Sequence, residues 1–165
     1  MTRSRAAALG LLLVAGVSAV AAWRLLRKAP SDEDQVRQVF LDAARAAEEK
    51  RVGDAVERVS ERFQGEGLDR RGLKQLVAFH AMRGDWNAVV LLGTRWRIEG
   101  AGAEAVVDVA LLRGGRGPAL ADRMPAAGSA YRIEAALERE DGRWMVTSAR
   151  WRPLPAEEAL AGPPP

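Results

Sequence analysis

AYRIEAALEREDGRWMVTSARWR, residues 130–152, is the stretch whose reading decides the fold. Tyr131, Ile133, Ala135 and Leu137 alternate with Arg132, Glu134 and Glu138. Successive side chains of a strand point to opposite faces, so this period of two predicts a strand over Ala130 to Arg139 with one apolar face. Asp141-Gly142 follows, the pair best suited to the left-handed backbone of a tight hairpin turn. Arg143 to Arg152 then runs back as a partner strand, and Pro153 ends it.

The same period extends upstream. Trp96 and Ile98 oppose Arg95 and Arg97 in a strand over Ala88 to Glu99, and Val107, Val109 and Leu111 oppose Asp108 over Glu104 to Leu112. The alternation predicts solvent for Asp108. Ahead of Gly84 the period is helical. Val36, Val39, Phe40, Ala43 and Ala47 make one stripe behind Ser31 and an acidic first turn, and Gly53 is the expected stop. Asp54 is read as the cap of a second helix whose apolar face runs through Val56 and Val59 to Phe63. Asp69 caps a third, with Leu73, Leu76, Val77 and His80 inward and Gly84 as its stop. The segment 114–129, rich in Gly, Pro and Ala, is a loop long enough to invite a functional explanation. Residues 155–165, ending in three prolines, read as a disordered tail. Helices first and an antiparallel meander after give an α+β domain over residues 31–154.

This order resembles the nuclear transport factor 2-like superfamily, which includes SnoaL-like cyclases and ketosteroid isomerases. The likeness covers Ser31 to Pro153 and rests on the first-helix run Asp34 to Lys50, the Gly53-Asp54 step, Val59-Ser60-Glu61-Arg62-Phe63, and the terminal hairpin Glu140 to Trp151. It implies a cone, with three helices packed in the concave face of a curved antiparallel sheet and a mouth for a small molecule. Members often carry a small hairpin between the second and third helices; here only Gln64 to Gly67 is available for it. Neither βαβ alternation nor a Gly-rich phosphate loop is present, which disfavours a dinucleotide fold.

The 165 residues carry 25 basic and 22 acidic side chains, a formal net charge of +3. Five of the basic residues, Arg3, Arg5, Arg24, Arg27 and Lys28, lie in the first thirty, where no acidic residue falls. The remainder therefore has 20 basic against 22 acidic, and lacks the basic footprint of a nucleic-acid binder. With no cysteine, disulfides and thiolate chemistry are excluded. A single histidine and no Asp-rich calcium loop leave no metal-site pattern, and no cofactor is expected. Arg outnumbering Lys, with abundant Ala and Gly, points to a GC-rich bacterial genome.

Residues 1–30 read as a membrane-insertion segment. Ala6 to Ala22 is uncharged and apolar, with Ala6, Leu11, Leu12, Leu13, Val14, Val17 and Val20 in the hydrocarbon, Trp23 at the interface and basic residues on both flanks. The expectation is a single-pass signal-anchor in a bacterial inner membrane, with the lipid bilayer as partner and the domain on the extracytoplasmic side. Ala19-Val20-Ala21 also fits a signal-peptidase site, so a cleaved and secreted product is the alternative.

Four side chains are candidates for a ligand pocket: His80, Trp96, Tyr131 and Trp144. His80 suits proton transfer near neutrality, yet its helical stripe also fits a core-edge histidine bonded to a backbone carbonyl. Asp108 with Tyr131 could join it as a carboxylate base and a phenol donor. The Arg-Trp-Arg tripeptides at 95–97 and 150–152 read as strands with Trp inward and Arg outward, ion-paired to Glu99, Glu134 or Glu138. No catalytic residue is assigned. The leading expectation is a non-catalytic, membrane-tethered domain that binds a small apolar ligand or a protein partner. A SnoaL-type lyase or isomerase using His80 as base is one alternative, and a module that dimerises through the open sheet face is the other. Convergence of His80, Tyr131 and a carboxylate in one cavity separates the first two; an apolar or a salt-bridged outer sheet face tests the third.

Overall fold

The structure, a computed structural model, describes residues 30–113 and 128–163. The membrane segment from Ala6 to Trp23 therefore lies outside the described residues, as does the loop 114–127. Among the described residues no helix is long and apolar enough to cross a membrane.

Helix α1, Asp32–Glu48, opens on Asp32, Glu33 and Asp34, whose charges complement the helix dipole, and it buries Val36, Val39 and Ala46. It ends at Glu48, five residues before the expected stop at Gly53. Lys50 takes the left-handed conformation (φ 59°), its N–H donates to Ala47 O (3.1 Å) and the Arg51 N–H to Ala46 O (2.8 Å). That is a Schellman closure with a lysine where glycine is usual. Helix α2 is a single turn, Val52–Ala55, and Asp54 lies inside it rather than capping it. Helix α3, Arg70–Arg83, begins as expected, with the Asp69 carboxylate accepting from Gly72 N (2.7 Å), and ends on Gly84 at φ 67°.

The region between α2 and α3 departs from expectation. Val59–Gln64 is a strand, β1, and not a continuation of the second helix. It pairs in parallel with β5, Arg143–Pro153, so the sheet is mixed and five-stranded, in the order β1-β5-β4-β3-β2. The misreading has a simple cause. Val59 and Phe63 are four residues apart, a step that keeps two side chains together both on a helix and on a strand. After β1 the expected small hairpin shrinks to one bridge, Gly65 to Leu68, turned by Glu66 and Gly67 with φ of 50° and 75°.

The other four strands follow the sequence reading closely. Ala88–Glu99 (β2), Gly102–Leu112 (β3), Gly128–Glu140 (β4) and β5 pair antiparallel in succession, and Asp141 and Gly142 make the last turn at φ 49° and 77°. Shifts of register at Leu91/Gly93 and Ala136/Leu137 bend the sheet, as bulges do. Its concave side packs on α1 to form the main core around Val36, Phe63, Val107, Leu137 and Trp144. Each of these large side chains contributes about 1.5–3 kcal/mol by leaving water.

The opposite side holds the second departure. Within residues 155–163, read as part of a disordered tail, Ala156–Ala161 is a short helix, α4. Leu154 and Ala159 pack on Ala88, Ala110, Leu112 and Ala130 of the outer sheet face. Asp108 does point away from Val107 and Val109, but into this second core, where it is 0 % exposed. Arg132, opposite it on β4, gives it two parallel hydrogen bonds, Nε to Oδ1 at 2.7 Å and Nη2 to Oδ2 at 2.8 Å. A buried carboxylate requires such a partner.

Candidate functional site

Between α1, α3 and the concave sheet face lies a cavity of about 870 Å³, within the range of about 300–1,000 Å³ usual for small-molecule sites. Helix α1 contributes Phe40 and three alanines, Ala43, Ala44 and Ala47, whose small side chains leave space that larger residues would fill. Helix α3 contributes Leu73, Leu76, Val77 and His80, the inward stripe read from its spacing. Leu91, Val107, Val109, Leu111, Ile133 and Trp151 come from the sheet. Trp86 joins the two walls: its Nε1 donates to Ala47 O (3.0 Å), and Lys50 sits over its ring at 4.4 Å while donating to its carbonyl.

The polar lining is made by His80, Arg83, Asp85, Arg113, Ser129 and Tyr131. His80 Nδ1 lies 2.6 Å from Asp85 Oδ2. An ionised carboxylate can only accept, so Nδ1 carries a proton, and in the neutral ring Nε2 then presents a lone pair. The hydrogen bond from His80, with Arg83 and Arg113 nearby, holds the Asp85 carboxyl below the usual carboxylate range. Arg113 grips Asp85 twice, Nη2 to Oδ1 at 3.2 Å and Nε to the backbone O at 3.3 Å, and Arg83 Nε stands 3.8 Å from Oδ1. An imidazole held this way, as an oriented base beside a cavity, is able to accept a proton from a bound molecule.

Of the four residues read as pocket candidates, His80 and Tyr131 line this cavity. His80 lines the cavity, although its partner is a carboxylate and not a backbone carbonyl, and its side chain is 42 % exposed rather than buried. Tyr131 lines the same cavity, its hydroxyl without a hydrogen-bond partner among the described residues. Trp144 belongs instead to the main core, 1 % exposed, and Trp96 sits beyond the cavity with Nε1 donating to Glu33 Oε1 at 2.8 Å. The carboxylate that meets His80 is Asp85, not Asp108. The signal for it was local: Asp85 follows the Gly84 stop, and its N–H closes the helix onto His80 O at 3.2 Å, which brings the two side chains together. Of the Arg-Trp-Arg strands, Trp151 faces the cavity while Arg150 pairs outward with Glu134 and Arg152 with Glu158. Among the described residues no group of three His, Cys, Asp or Glu side chains could hold a metal ion.

The chain matches no family model and, at the level of sequence, no curated protein. Its fold, however, is shared by many solved structures. A nuclear transport factor 2-like protein from Novosphingobium aromaticivorans, described as having a cystatin-like fold, superposes with a TM-score of 0.59 at 17% identity, covering 84% of this chain and 89% of that one. A protein of unknown function from Pseudomonas putida with the same fold gives 0.57 at 13%, covering 74% and 88%. A protein from Streptomyces avermitilis, provisionally named a dehydratase of that family, gives 0.58 at 14%, covering 76% and 99%. The chain thus has the α+β nuclear transport factor 2-like fold.

Proposed function

We propose that this protein is a ligand-binding domain for a small, largely apolar molecule, held at a bacterial membrane by its N-terminal segment. The cavity carries this reading: most of its walls are Ala, Val, Leu, Ile, Phe and Trp side chains, placed by the helices and the concave sheet face around an open space. Apolar surface left open to water is costly, and a ligand of matching shape recovers that cost. The tether rests on the uncharged run from Ala6 to Ala22 and its basic flanks. Partnership through the outer sheet face has less support, since Arg150–Glu134 and Arg62–Glu138 ion pairs cross it at one end and α4 covers the other.

The test is to fill the cone. Ala44→Phe adds a ring into the cavity from α1 and should weaken uptake of an environment-sensitive apolar dye at least about tenfold, the equivalent of about 1.4 kcal/mol. Undiminished binding by a folded Ala44→Phe protein places the dye elsewhere and ends this reading.

One observation favours a second reading. With Asp85 against Nδ1, His80 has the oriented carboxylate that a lone histidine would lack. It would act as the base of a lyase or isomerase, taking a proton from the bound molecule while Tyr131 donates to the developing oxyanion. His80→Gln separates the two: binding within about twofold of wild type is the outcome for a binding domain, and loss of turnover with binding retained is the outcome for an enzyme.

A further inference from the structure

The polar part of the cavity lining carries an imbalance of charge. Arg83 and Arg113 both face Asp85, so two guanidinium groups share one carboxylate. Asp85 is enclosed: its side chain is 19 % exposed, Oδ2 is occupied by His80 and Oδ1 by Arg113. The arginine side chains stay accessible, 60 % and 66 % exposed for Arg83 and Arg113. Arg113 spends Nε and Nη2 on Asp85, which leaves Nη1 without a partner among the described residues. Arg83 lies with its guanidinium 5.2 Å from the Phe79 ring, a contact that fixes its plane without using its donors. Glu48, whose Oε1 accepts from Val89 N, and Lys50, which holds Trp86, stand outside the lining and offset one another.

Neutralising Asp85 needs one cation; the structure supplies two. We infer that the cavity takes an amphiphile with a single anionic head, a medium-chain carboxylic acid or a compound of that shape, whose tail fills the apolar cone and whose carboxylate docks on Arg113 and Arg83. The planar fork of an arginine matches the two oxygens of a carboxylate. A neutral ligand would leave the second arginine unused, and a dianion would exceed the surplus of positive charge. Tyr131 and Ser129 line the cavity beside these groups and supply hydroxyls where a head group would turn from tail to charge.

The inference rests on the proposed apolar site, and the experiment separates the two. The full-length chain is placed in nanodiscs of neutral phospholipid, and octanoate and 1-octanol are titrated at neutral pH and low salt, with fluorescence of the tryptophans as readout. Trp86 and Trp151 lie in the cavity wall. The chain carrying Ala44→Phe serves as the blank for partition into lipid. Octanoate should bind about tenfold tighter than octanol. Arg113→Gln should remove most of that preference and leave octanol within about twofold. Added salt should narrow the preference as well, because charges at a rim are screened within about 8 Å at physiological ionic strength. Equal affinity for acid and alcohol overturns the anionic head while leaving the apolar cone standing. Signals from both ligands that Ala44→Phe does not reduce overturn the cone, and the inference with it.

Discussion

Asp85 shows how much chemistry one residue can collect. It ends a helix through its backbone, orients an imidazole through one carboxylate oxygen and draws two arginines to the other. Its hydrogen bond from His80, aided by Arg83 and Arg113, lowers its pKa in the folded state. A lowered carboxylate pKa means that the folded form holds the proton less readily than the unfolded chain. The resulting stabilisation is complete above the unfolded value of about 3.9 and is lost as pH falls through the folded one. Asp85→Asn should therefore lower stability at about pH 5 and above, and the gap from wild type should close in more acid solution. Urea unfolding of both proteins over that range measures it. A gap that stays open in strong acid would show that Asp85 stabilises the fold by something other than its charge. The position of this residue was hidden in the sequence because nothing marks it except its place one step after Gly84.

At the scale of elements, the outer sheet face carries the lesson. The alternation of β3 assigned Asp108 to the side opposite Val107 correctly, but alternation identifies a face and not what lies over it. The cover comes from the end of the chain, far away in sequence. Arg132 Nη2 reaches Gly162 O at 3.3 Å and Arg95 Nη2 reaches Pro163 O at 3.1 Å, so the buried pair also fastens the segment after α4. Gly93 leaves the room: a Cβ there would overlap the Pro163 ring. For this pair, Arg132→Ala strands Asp108 in the second core and should cost about 3–5 kcal/mol, whereas Asp108→Leu with Arg132→Met should recover most of that loss. Chemical denaturation of wild type, single and double variants gives the comparison. A single variant as stable as wild type would mean that water already reaches Asp108. What could be read from the sequence follows from the same reasoning. The β-hairpin at residues 130–152 and the capped helix α3 were legible because their signals are local, in a turn pair, a cap and a period. Strand β1 and the cover over Asp108 depend on partners distant in the chain, and no local period reports those.

In the proposed function a fold that encloses space is joined to a segment that enters lipid, and the two make different physical demands. The domain accommodates its cavity because its stability comes from both sides of one sheet, the main core on the concave face and the smaller one beneath α4. Residues 1–30 have no such balance of polar and apolar faces: from Ala6 to Ala22 every position is Ala, Gly, Leu, Val or Ser. Such a run is long enough for a bilayer only if nearly all of it is used, since a spanning helix needs about 17–25 residues. It is therefore sensitive to single charges. Replacing Leu12 with Arg puts a cation near the middle of the run, where insertion is penalised by about 2.5–3.5 kcal/mol. The expected result is that the full-length chain stays with membranes through an alkaline carbonate wash, while the Leu12→Arg chain is released in large part. The basic flanks predict the reverse for Arg24→Ala, which leaves the apolar run intact and should stay in the pellet. A wild-type chain that appears in the supernatant with Met1 to Pro30 still attached would remove the tether, and the cone would then have to find its ligand in water.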